Sequence, residues 1–329
     1  MPEFAIVSET LRLNDGTAPS CSRRWLGVYA QLVAGATFVL ILAGGLVTSM
    51  NVGMAVPDWP TTFGQNMFLY NWFAAPLGPF VEHGHRLLGA TVGLLTVGLT
   101  VWLCLEEPRG WVRWLGMAAL MGVIVQGILG GLRVNLRDLS LAVVHGCSAQ
   151  AFFALVVALA VLLSRSWQTK SLRDGAENDG GLRRLALVAT ALVYLQIVFG
   201  ALLRQFGGVW LVWHLVLALA VLSHGLLWAR RILDRHGSTP QLARPARGLI
   251  VLMGAQIILG VGSLVTTGGY GSAAVHQLTT IELLFTTGHV ALGSLLLACA
   301  VLLTLRLYGP VASPSVETAL PRIAGEMTA

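Results

Sequence analysis

The chain alternates long apolar stretches with short polar ones. A helix that spans a bilayer needs about 20 predominantly apolar residues. Eight stretches meet that requirement, at residues 25–50, 82–104, 112–132, 140–163, 183–203, 209–229, 247–267 and 285–306. Together they use most of the 329 residues, which leaves no room for a sizeable soluble domain. The pattern predicts an all-α polytopic membrane protein with eight transmembrane helices.

Composition and charge agree with this prediction. The chain is 55% hydrophobic and only 11% charged, outside the usual range of soluble domains. All but four of the 21 Lys and Arg residues fall at one end of the predicted helices, together with both termini. Positively charged connections stay in the cytoplasm, so both termini are predicted to be cytoplasmic. This topology explains the pI of 9.6, and nucleic acid need not be invoked as a partner.

An internal repeat relates the odd-numbered helices to one another. A Gln-x-x-x-Gly motif recurs in the third, fifth and seventh helices, and the first helix has Leu40 and Gly44 at the equivalent place. The three copies are Gln126 to Gly130, Gln196 to Gly200 and Gln256 to Gly260. We interpret the motif itself as helix packing, because Gly permits close approach and Gln hydrogen-bonds across an interface.

The repeat predicts two four-helix halves. Each half has an even number of helices, so both begin on the same side and would be related by an axis along the membrane normal. The predicted order is a cytoplasmic amino-terminal segment, a first half, a cytoplasmic linker, a second half and a cytoplasmic tail. These segments are residues 1–24, 25–163, 164–182, 183–306 and 307–329.

Four histidines lie in the first turns of the even-numbered helices, all at the outer end. They are His85, His145, His214 and His289. An ionisable ring inside a membrane helix is costly and usually functional, although one such histidine alone is more often a structural hydrogen-bonder. Four at matching depth on repeat-related helices predict two pairs of metal ligands. Small neighbours such as Gly89 and Gly293 would make room for a flat porphyrin ring.

Zinc is a poor fit to these pairs. Two histidines per half, without a cysteine or carboxylate at ligand spacing, are too few for a closed tetrahedral site. His276, in the last outer connection, competes with His289 for the role of fourth ligand. His83 is predicted to face away from His85 at the membrane interface, and His224 to be structural, since each is out of phase with its ligand neighbour on a helix.

The four arginines that oppose the charge rule lie at the same end as the histidines. They are Arg86, Arg133, Arg137 and Arg204. Interfacial snorkelling would account for any one of them. As a set beside the histidines they suit an anionic ligand, because guanidinium pairs bidentately with carboxylates. Haem propionates are the obvious candidates.

The first outer connection, residues 51–81, is long, rich in aromatic residues and free of Lys and Arg. Such composition favours the membrane interface, and the loop is placed to cap the first histidine pair. Glu82 follows it, one turn before His85. A carboxylate in a low-dielectric cleft can stabilise positive charge or move a proton, which makes Glu82 the candidate catalytic residue. The alternative is an acid that complements the helix dipole.

Two other classes of membrane protein compete with this interpretation. A dihaem cytochrome b usually takes two histidines from one helix, near opposite faces of the membrane. No helix here has that spacing, so a transmembrane electron wire is disfavoured. A transporter would suit the parallel repeat, but the helices lack paired midplane acids and obvious Gly or Pro breaks.

Several motifs resemble the haem A synthase family over residues 25 to 306. The most specific is Glu82-His83-Gly84-His85-Arg86, which opens the second helix. Asp58-Trp59-Pro60, Val144-His145-Gly146 with Ala149-Gln150, His214 and His289 also match its pattern. The chain departs from some members by lacking a cysteine pair in the first outer loop, and by Val290 where Arg is common.

The resemblance implies an eight-helix, two-half enzyme that oxidises a methyl group of haem O to the formyl group of haem A. It implies haem B on His214 and His289, with the substrate haem O near His85 and His145. It further implies delivery by haem O synthase, an electron donor and a role in terminal oxidase assembly. The expected location is a bacterial-type inner membrane with the haem sites toward the outer face. A membrane haem protein of the same fold that carries electrons without making haem A is the alternative.

Overall fold

The computed structural model describes residues 21–164, 167, 179–268 and 279–309. Within these ranges it contains eight helices that are long and apolar enough to cross a membrane, which confirms the predicted all-α polytopic fold. They are α1 (Cys21–Ser49), α2 (Leu77–Glu106), α3 (Gly110–Leu136), α4 (Leu139–Leu162), α5 (Gly180–Phe206), α6 (Trp210–His236), α7 (Pro240–Thr266) and α8 (Thr280–Tyr308). Most helices run a few residues beyond the apolar stretches, because polar residues near the interface continue the backbone hydrogen bonding.

Capping side chains fix the starts of three helices. Asp138 accepts a hydrogen bond from the Ser140 backbone at the start of α4, and Asp179 accepts one from Leu182 at the start of α5. Thr279 and Glu282 form a reciprocal capping box on α8. These bonds satisfy backbone N–H groups that have no partner inside the helix.

The helices form two similar four-helix groups. In the first group α1 and α3 each pack against α2 and α4; in the second, α5 and α7 each pack against α6 and α8. The groups meet where α1 contacts α8, α4 contacts α8, and α4 contacts α5. This set of contacts stays the same when α1 is exchanged with α5 and α4 is exchanged with α8. That is the relation expected for parallel repeats around an axis along the membrane normal.

Each group has its own apolar core, and apolar residues also cover the outside. One buried cluster includes Leu26, Leu99 and Leu159, and the other includes Trp228 and Leu303. Large aliphatic side chains elsewhere on the helices point outward; Leu94, for example, is 75% exposed. In a bundle whose solvent is lipid, such exposure carries no penalty.

The connection between α1 and α2, hereafter the α1–α2 loop (residues 50–76), has some regular structure. Strand β1 (Thr61–Thr62) pairs antiparallel with β2 (Gln65–Asn66), and a short 3₁₀ helix follows at Trp72–Ala74. The loop therefore has a defined conformation over the histidine end of α2.

Candidate functional site

The four predicted ligand histidines occupy one structural position repeated four times. Each projects from an even-numbered helix toward a glycine of the preceding odd-numbered helix. A Cβ added to that glycine would lie close to Cε1 of the imidazole, at 3.0 Å for Gly44 and His85, 3.2 Å for Gly130 and His145, 3.2 Å for Gly200 and His214, and 2.8 Å for Gly260 and His289. Any larger residue would push the ring away, so the motif glycine sets the position of the imidazole.

The glutamines of the same motif contact the histidines directly. The side-chain amide of Gln196 donates to the backbone carbonyl of His214 at 3.0 Å, and that of Gln256 donates to the carbonyl of His289 at 3.0 Å. The Gln126 amide makes the same bond to His145, at 3.1 Å, when its nitrogen faces that residue. The sequence indicated that these glutamines bond across a helix interface. It did not indicate that their targets are the histidines. The signal available for this was the similar spacing of 19 residues from Gln126 to His145 and of 18 residues from Gln196 to His214.

A cavity of about 820 Å³ connects the four histidines, and all eight helices contribute to its wall. Its size falls within the range of small-molecule and cofactor sites. Besides the histidines and their glycines, the wall includes Trp59, Glu82, Arg86, Arg133 and Arg204. The structure thus brings together every predicted site residue except Arg137. Trp59, which the sequence analysis named only as part of the Asp58-Trp59-Pro60 motif, also belongs to this wall.

The rings of His214 and His289 face each other across this cavity. Their centroids lie 6.3 Å apart, with the ring planes at 70°. A metal ion bound to one nitrogen of each imidazole, at about 2 Å from both, would separate the centroids by about this distance. His289 Nδ1 lies 3.2 Å from the backbone carbonyl of Gln256. Such a bond at the second ring nitrogen is usual for a ligating histidine, because it orients the ring and fixes its tautomer.

In the part of the chain that the structure describes, no third ligand accompanies either pair. Among the described residues there is no group of three or more His, Cys, Asp or Glu side chains that could hold a metal ion. The arrangement therefore suits a metal whose other ligands come from a cofactor. A porphyrin supplies four nitrogen ligands and requires only one or two axial ligands from the protein.

Glu82 is buried and forms two strong interactions. Its Oε2 accepts a hydrogen bond from the Val56 backbone at 2.8 Å, and its Oε1 accepts one from Nη2 of Arg86, also at 2.8 Å. The whole Glu82 residue is only 3% exposed, although it contributes to the cavity wall. Glu82 thus joins the α1–α2 loop to α2 at the edge of the cavity.

Arg86 is committed to the same loop. Its guanidinium donates to the backbone carbonyls of Val56, Asp58 and Thr61 at 3.0, 2.7 and 3.2 Å, in addition to its bond with Glu82. These bonds occupy N–H donors that the guanidinium would otherwise offer to a carboxylate. Its predicted role toward a propionate remains a prediction, whereas its role in holding the loop is visible in the structure.

The loop docks on the opposite side of α2 through His83. This ring is fully buried, with Nδ1 3.1 Å from Oγ1 of Thr62 and an edge-on contact with the Tyr70 ring. His83 faces away from the cavity as expected, but beneath the loop and not at an open interface. His224 bonds to the Ala220 carbonyl of its own helix at 2.9 Å, consistent with a structural role. His276 lies outside the described residues.

The Asp58-Trp59-Pro60 motif orders the part of the loop nearest α3. Asp58 accepts hydrogen bonds from Thr61, Phe63 and Gly64. Partial burial alone raises the pKa of Asp58, but these bonds and the Arg86 charge outweigh it and hold the pKa below its usual value. Trp59 packs on Gly131 of α3, and its carbonyl accepts a bond from Asn135 at 3.1 Å. The motif therefore brings an indole to the cavity wall.

The remaining predicted arginines differ in what they contact. Arg133 lines the cavity, packs on Gly53 and interacts electrostatically with Glu82, but no hydrogen bond to its guanidinium is found among the described residues. Arg204 also lines the cavity and donates to the Thr48 carbonyl at 3.2 Å, where α5 meets α1. Arg137 is exposed at the end of α3, with a left-handed backbone conformation (φ 52°), and does not line the cavity.

A second link across the two helix groups was also missed by sequence reasoning. Gln150 of α4 donates to Oγ of Ser294 of α8 at 2.8 Å, and both side chains are buried. Each residue follows a ligand histidine by five positions, His145 or His289. The bond therefore lies where repeat-related positions meet, and it connects the two histidine pairs through the interface.

Comparison with known proteins gives consistent matches. A family described as cytochrome oxidase assembly protein matches residues 76–212, which include His85 and His145. A protein named heme A synthase from Symbiobacterium thermophilum is 30% identical over 261 residues, covering 68% of this chain and 81% of that protein. Proteins of the same name from Exiguobacterium sibiricum and a Methylobacterium species are 26% and 24% identical. These alignments cover 56% and 83% of this chain, and 61% and 92% of the relatives.

Proposed function

This chain belongs to the haem A synthase family, and we propose that it carries out the family reaction, oxidising a methyl group of haem O to the formyl group of haem A. It is a multi-pass membrane enzyme that handles a haem-type group. The observation that carries the proposal is the cavity shared by two histidine pairs. The two histidines of each pair would hold the iron of one haem-type group, whose porphyrin would supply the remaining ligands.

The residues fit the group that the proposal requires. His214 and His289 are spaced for one metal ion, and four glycines make room for the four imidazoles. Nδ1 of His85 and Nδ1 of His214 are buried without a hydrogen-bond partner among the described residues, which is costly unless a bound group reorganises the site. When bound, haem supplies the redox chemistry, while the protein contributes position and electrostatics.

The two pairs are proposed to differ in role. His214 and His289 hold haem B for electron transfer, and His85 and His145 hold the substrate haem O. The position three residues before each histidine supports this difference: it is Glu82 in α2, but Ala142, Leu211 and Thr286 in the other three helices. The carboxylate and the α1–α2 loop thus adjoin the first pair, as a site for chemistry requires. The halves themselves are proposed to be residues 25–163 and 183–306.

Glu82 is proposed to stabilise charge or hold a proton at the substrate. Its carboxylate lies in the cavity wall, away from bulk water, where electrostatic interactions are stronger than in solution. The Val56 N–H and the Arg86 guanidinium each donate to one of its oxygens and so fix the position of the carboxyl group. A fixed negative charge at the first pair would favour positive charge developing on the substrate porphyrin.

Arg133 and Arg204 are the stronger candidates for binding propionates. Both line the cavity at the histidine end, one in each half. Arg133 is half-buried, and among the described residues no hydrogen bond uses the donors of its guanidinium. A carboxylate of the substrate would supply a partner through charge-assisted hydrogen bonds.

Comparing Arg133→Gln with Arg137→Gln tests this assignment. A charge-assisted bond contributes about 1.5–3 kcal/mol, so Arg133→Gln should weaken haem binding at the first pair by roughly 10- to 100-fold. Arg137→Gln removes the same charge from the same helix end but should leave affinity unchanged, because Arg137 is exposed and away from the cavity. Equilibrium titration of detergent-solubilised protein with haem measures both. Equal losses in the two variants would refute the assignment to Arg133.

The motif glycines give a second test, on α7. Gly260→Ala places a Cβ 2.8 Å from Cε1 of His289, whereas Gly254→Ala on the same helix meets no atom within 4 Å. Overpacking costs about 1–3 kcal/mol, so Gly260→Ala should lower haem affinity at the second pair by roughly 5- to 100-fold. Gly254→Ala should bind haem normally. Haem retained per protein after purification reports the difference, and normal retention by Gly260→Ala would mean that His289 does not occupy this position when haem is bound.

Membrane orientation and partners complete the proposal. The charge distribution supports the proposal that both termini lie in the cytoplasm and that the histidine end lies at the outer face of a bacterial-type inner membrane. Haem O would arrive from haem O synthase, an electron donor would serve the haem B site, and the product would be used in assembling a terminal oxidase. Cysteine accessibility labelling of residues at the two helix ends tests the orientation.

One experiment tests the reaction itself. The chain is expressed with a source of haem O, and the extracted haems are identified by chromatography and mass. Haem A, or a hydroxylated form of haem O, supports the proposal. Haem B alone, with haem O supplied and unchanged, would instead support a haem-binding electron-transfer protein of the same fold.

A further inference from the structure

Three of the four ligand histidines receive a side-chain hydrogen bond that the fourth lacks. Gln126, Gln196 and Gln256 each reach across a helix pair to the backbone carbonyl of His145, His214 or His289. The amide nitrogens of Gln196 and Gln256 also lie 3.2 and 3.4 Å from Nε2 of His214 and His289. When its amide nitrogen faces His145, Gln126 lies 3.2 Å from Nδ1 of that ring. The bond to the histidine carbonyl is the contact that all three glutamines share, and it leaves a ring nitrogen available for a metal.

His85 occupies the repeat-equivalent position without that contact. The residue four positions before its glycine is Leu40, which lines the cavity and has no hydrogen-bonding side chain. The glycine contact itself is retained, with Gly44 as close to the ring as the other motif glycines are. The His85 ring interacts with the backbone of Leu40, as the other three rings interact with the backbone of their glutamines, so His85 differs from them only in the side-chain amide. The packing of the fourfold motif is thus complete at His85, and what is missing is the side-chain amide that bonds to the histidine carbonyl.

We propose that Gln126, Gln196 and Gln256 are positioning residues that hold three haem ligands, and that Leu40 leaves His85 as the exchangeable one. The proposal rests on the proposed function, since it takes the histidines to be haem ligands. The haem between His214 and His289 is then held firmly from both sides. The haem between His85 and His145 is held firmly from the α4 side and loosely from the α2 side.

This difference matches what the two sites must do. A resident cofactor should stay bound through many turnovers, so firm ligands on both sides are an advantage. A substrate porphyrin must bind and leave in each turnover, which requires a ligand that dissociates readily. Groups that orient a metal ligand typically change metal affinity by about 10- to 100-fold when they are lost. One missing glutamine is therefore enough to separate a resident from an exchanging haem.

The test uses two full-length proteins, each with a single histidine pair. His214→Ala/His289→Ala leaves only the first pair, and His85→Ala/His145→Ala leaves only the second. Both are loaded with haem B as the probe, and its release to excess apomyoglobin is followed by absorbance. In the first-pair protein, Leu40→Gln should slow release by about 10-fold or more, and Gln126→Leu should accelerate it. In the second-pair protein, Gln196→Leu or Gln256→Leu should accelerate release by a similar factor.

Spectra separate positioning from general destabilisation. Loss of a positioning residue should convert part of the low-spin, two-histidine haem spectrum to a five-coordinate one, while circular dichroism stays unchanged. Release rates that do not respond to Leu40→Gln, or to the glutamine substitutions in a protein that folds and binds haem, would overturn the proposal. Should Leu40→Gln fail to fold, the three glutamine variants decide it.

The outcomes also distinguish this proposal from the proposed function. Normal haem binding with unchanged release rates contradicts only the role of the glutamines and Leu40. A first-pair protein that folds but takes up no haem contradicts the assignment of His85 and His145, and this proposal with it.

Discussion

His289→Ala is expected to remove the haem of the second half while the first half still binds haem. The physical reason is that each half supplies its own ligand pair, and His289 faces His214 at 6.3 Å with no third ligand among the described residues. The low-spin haem B signal of the second pair should be lost from reduced-minus-oxidised spectra, while the signal of haem bound at the first pair remains. Haem A production should stop as well, because the electron-transfer haem is lost.

His145→Ala provides the converse result. It should abolish haem A formation and leave haem B bound to the second pair, since His214 and His289 keep their contacts with Gln196 and Gln256. Extraction of the haems together with spectra distinguishes the two variants. Full haem A production by His145→Ala would contradict the substrate site. An unchanged spectrum in His289→Ala, with loss in His276→Ala, would transfer the fourth ligand role to His276.

Glu82→Gln is expected to lower haem A formation by about 100-fold or more, the usual effect of removing a group that stabilises charge in the transition state. Haem should remain bound, because both ligand pairs are intact, and a hydroxylated form of haem O should accumulate. The substitution has a structural cost as well. Val56 N–H and Arg86 both donate to this carboxylate, so an amide nitrogen would face one of the two donors.

A control variant separates the catalytic effect from loosening of the loop. Thr62→Val removes the contact with Nδ1 of buried His83 and so weakens the docking of the loop on α2, while Glu82 stays in place. If the carboxylate itself acts on the substrate, Thr62→Val should retain most activity and Glu82→Gln should lose it. Equal losses in the two variants, or near-normal haem A yield from Glu82→Gln, would assign Glu82 to loop anchoring.

The helices and the depth of the histidines could be predicted because both depend on position along the chain. Apolar length predicts a spanning helix, and a residue's number within the helix sets its depth at a fixed rise per residue. His85, His145, His214 and His289 were therefore expected at one end, and the recurrence of Gln-x-x-x-Gly related the odd-numbered helices that precede theirs. The eight observed helices agree with the eight apolar stretches for this reason.

Contacts between helices depend on how each helix is rotated about its axis and on which of several possible partners a side chain meets. Only the tertiary structure decides both. Arg86, Arg133 and Arg137 look alike in the sequence, yet one is bonded to the α1–α2 loop, one faces the cavity and one is exposed. The sequence indicates the charge of a guanidinium but not which carbonyl or carboxylate reaches it first. In the same way, it placed Gln256 in an interface without revealing that the amide contacts His289, because that contact requires two helices to pack at one register. The depth of a residue in the membrane was therefore predictable from the sequence. The direction in which its side chain faces was not, because it depends on how the helices pack.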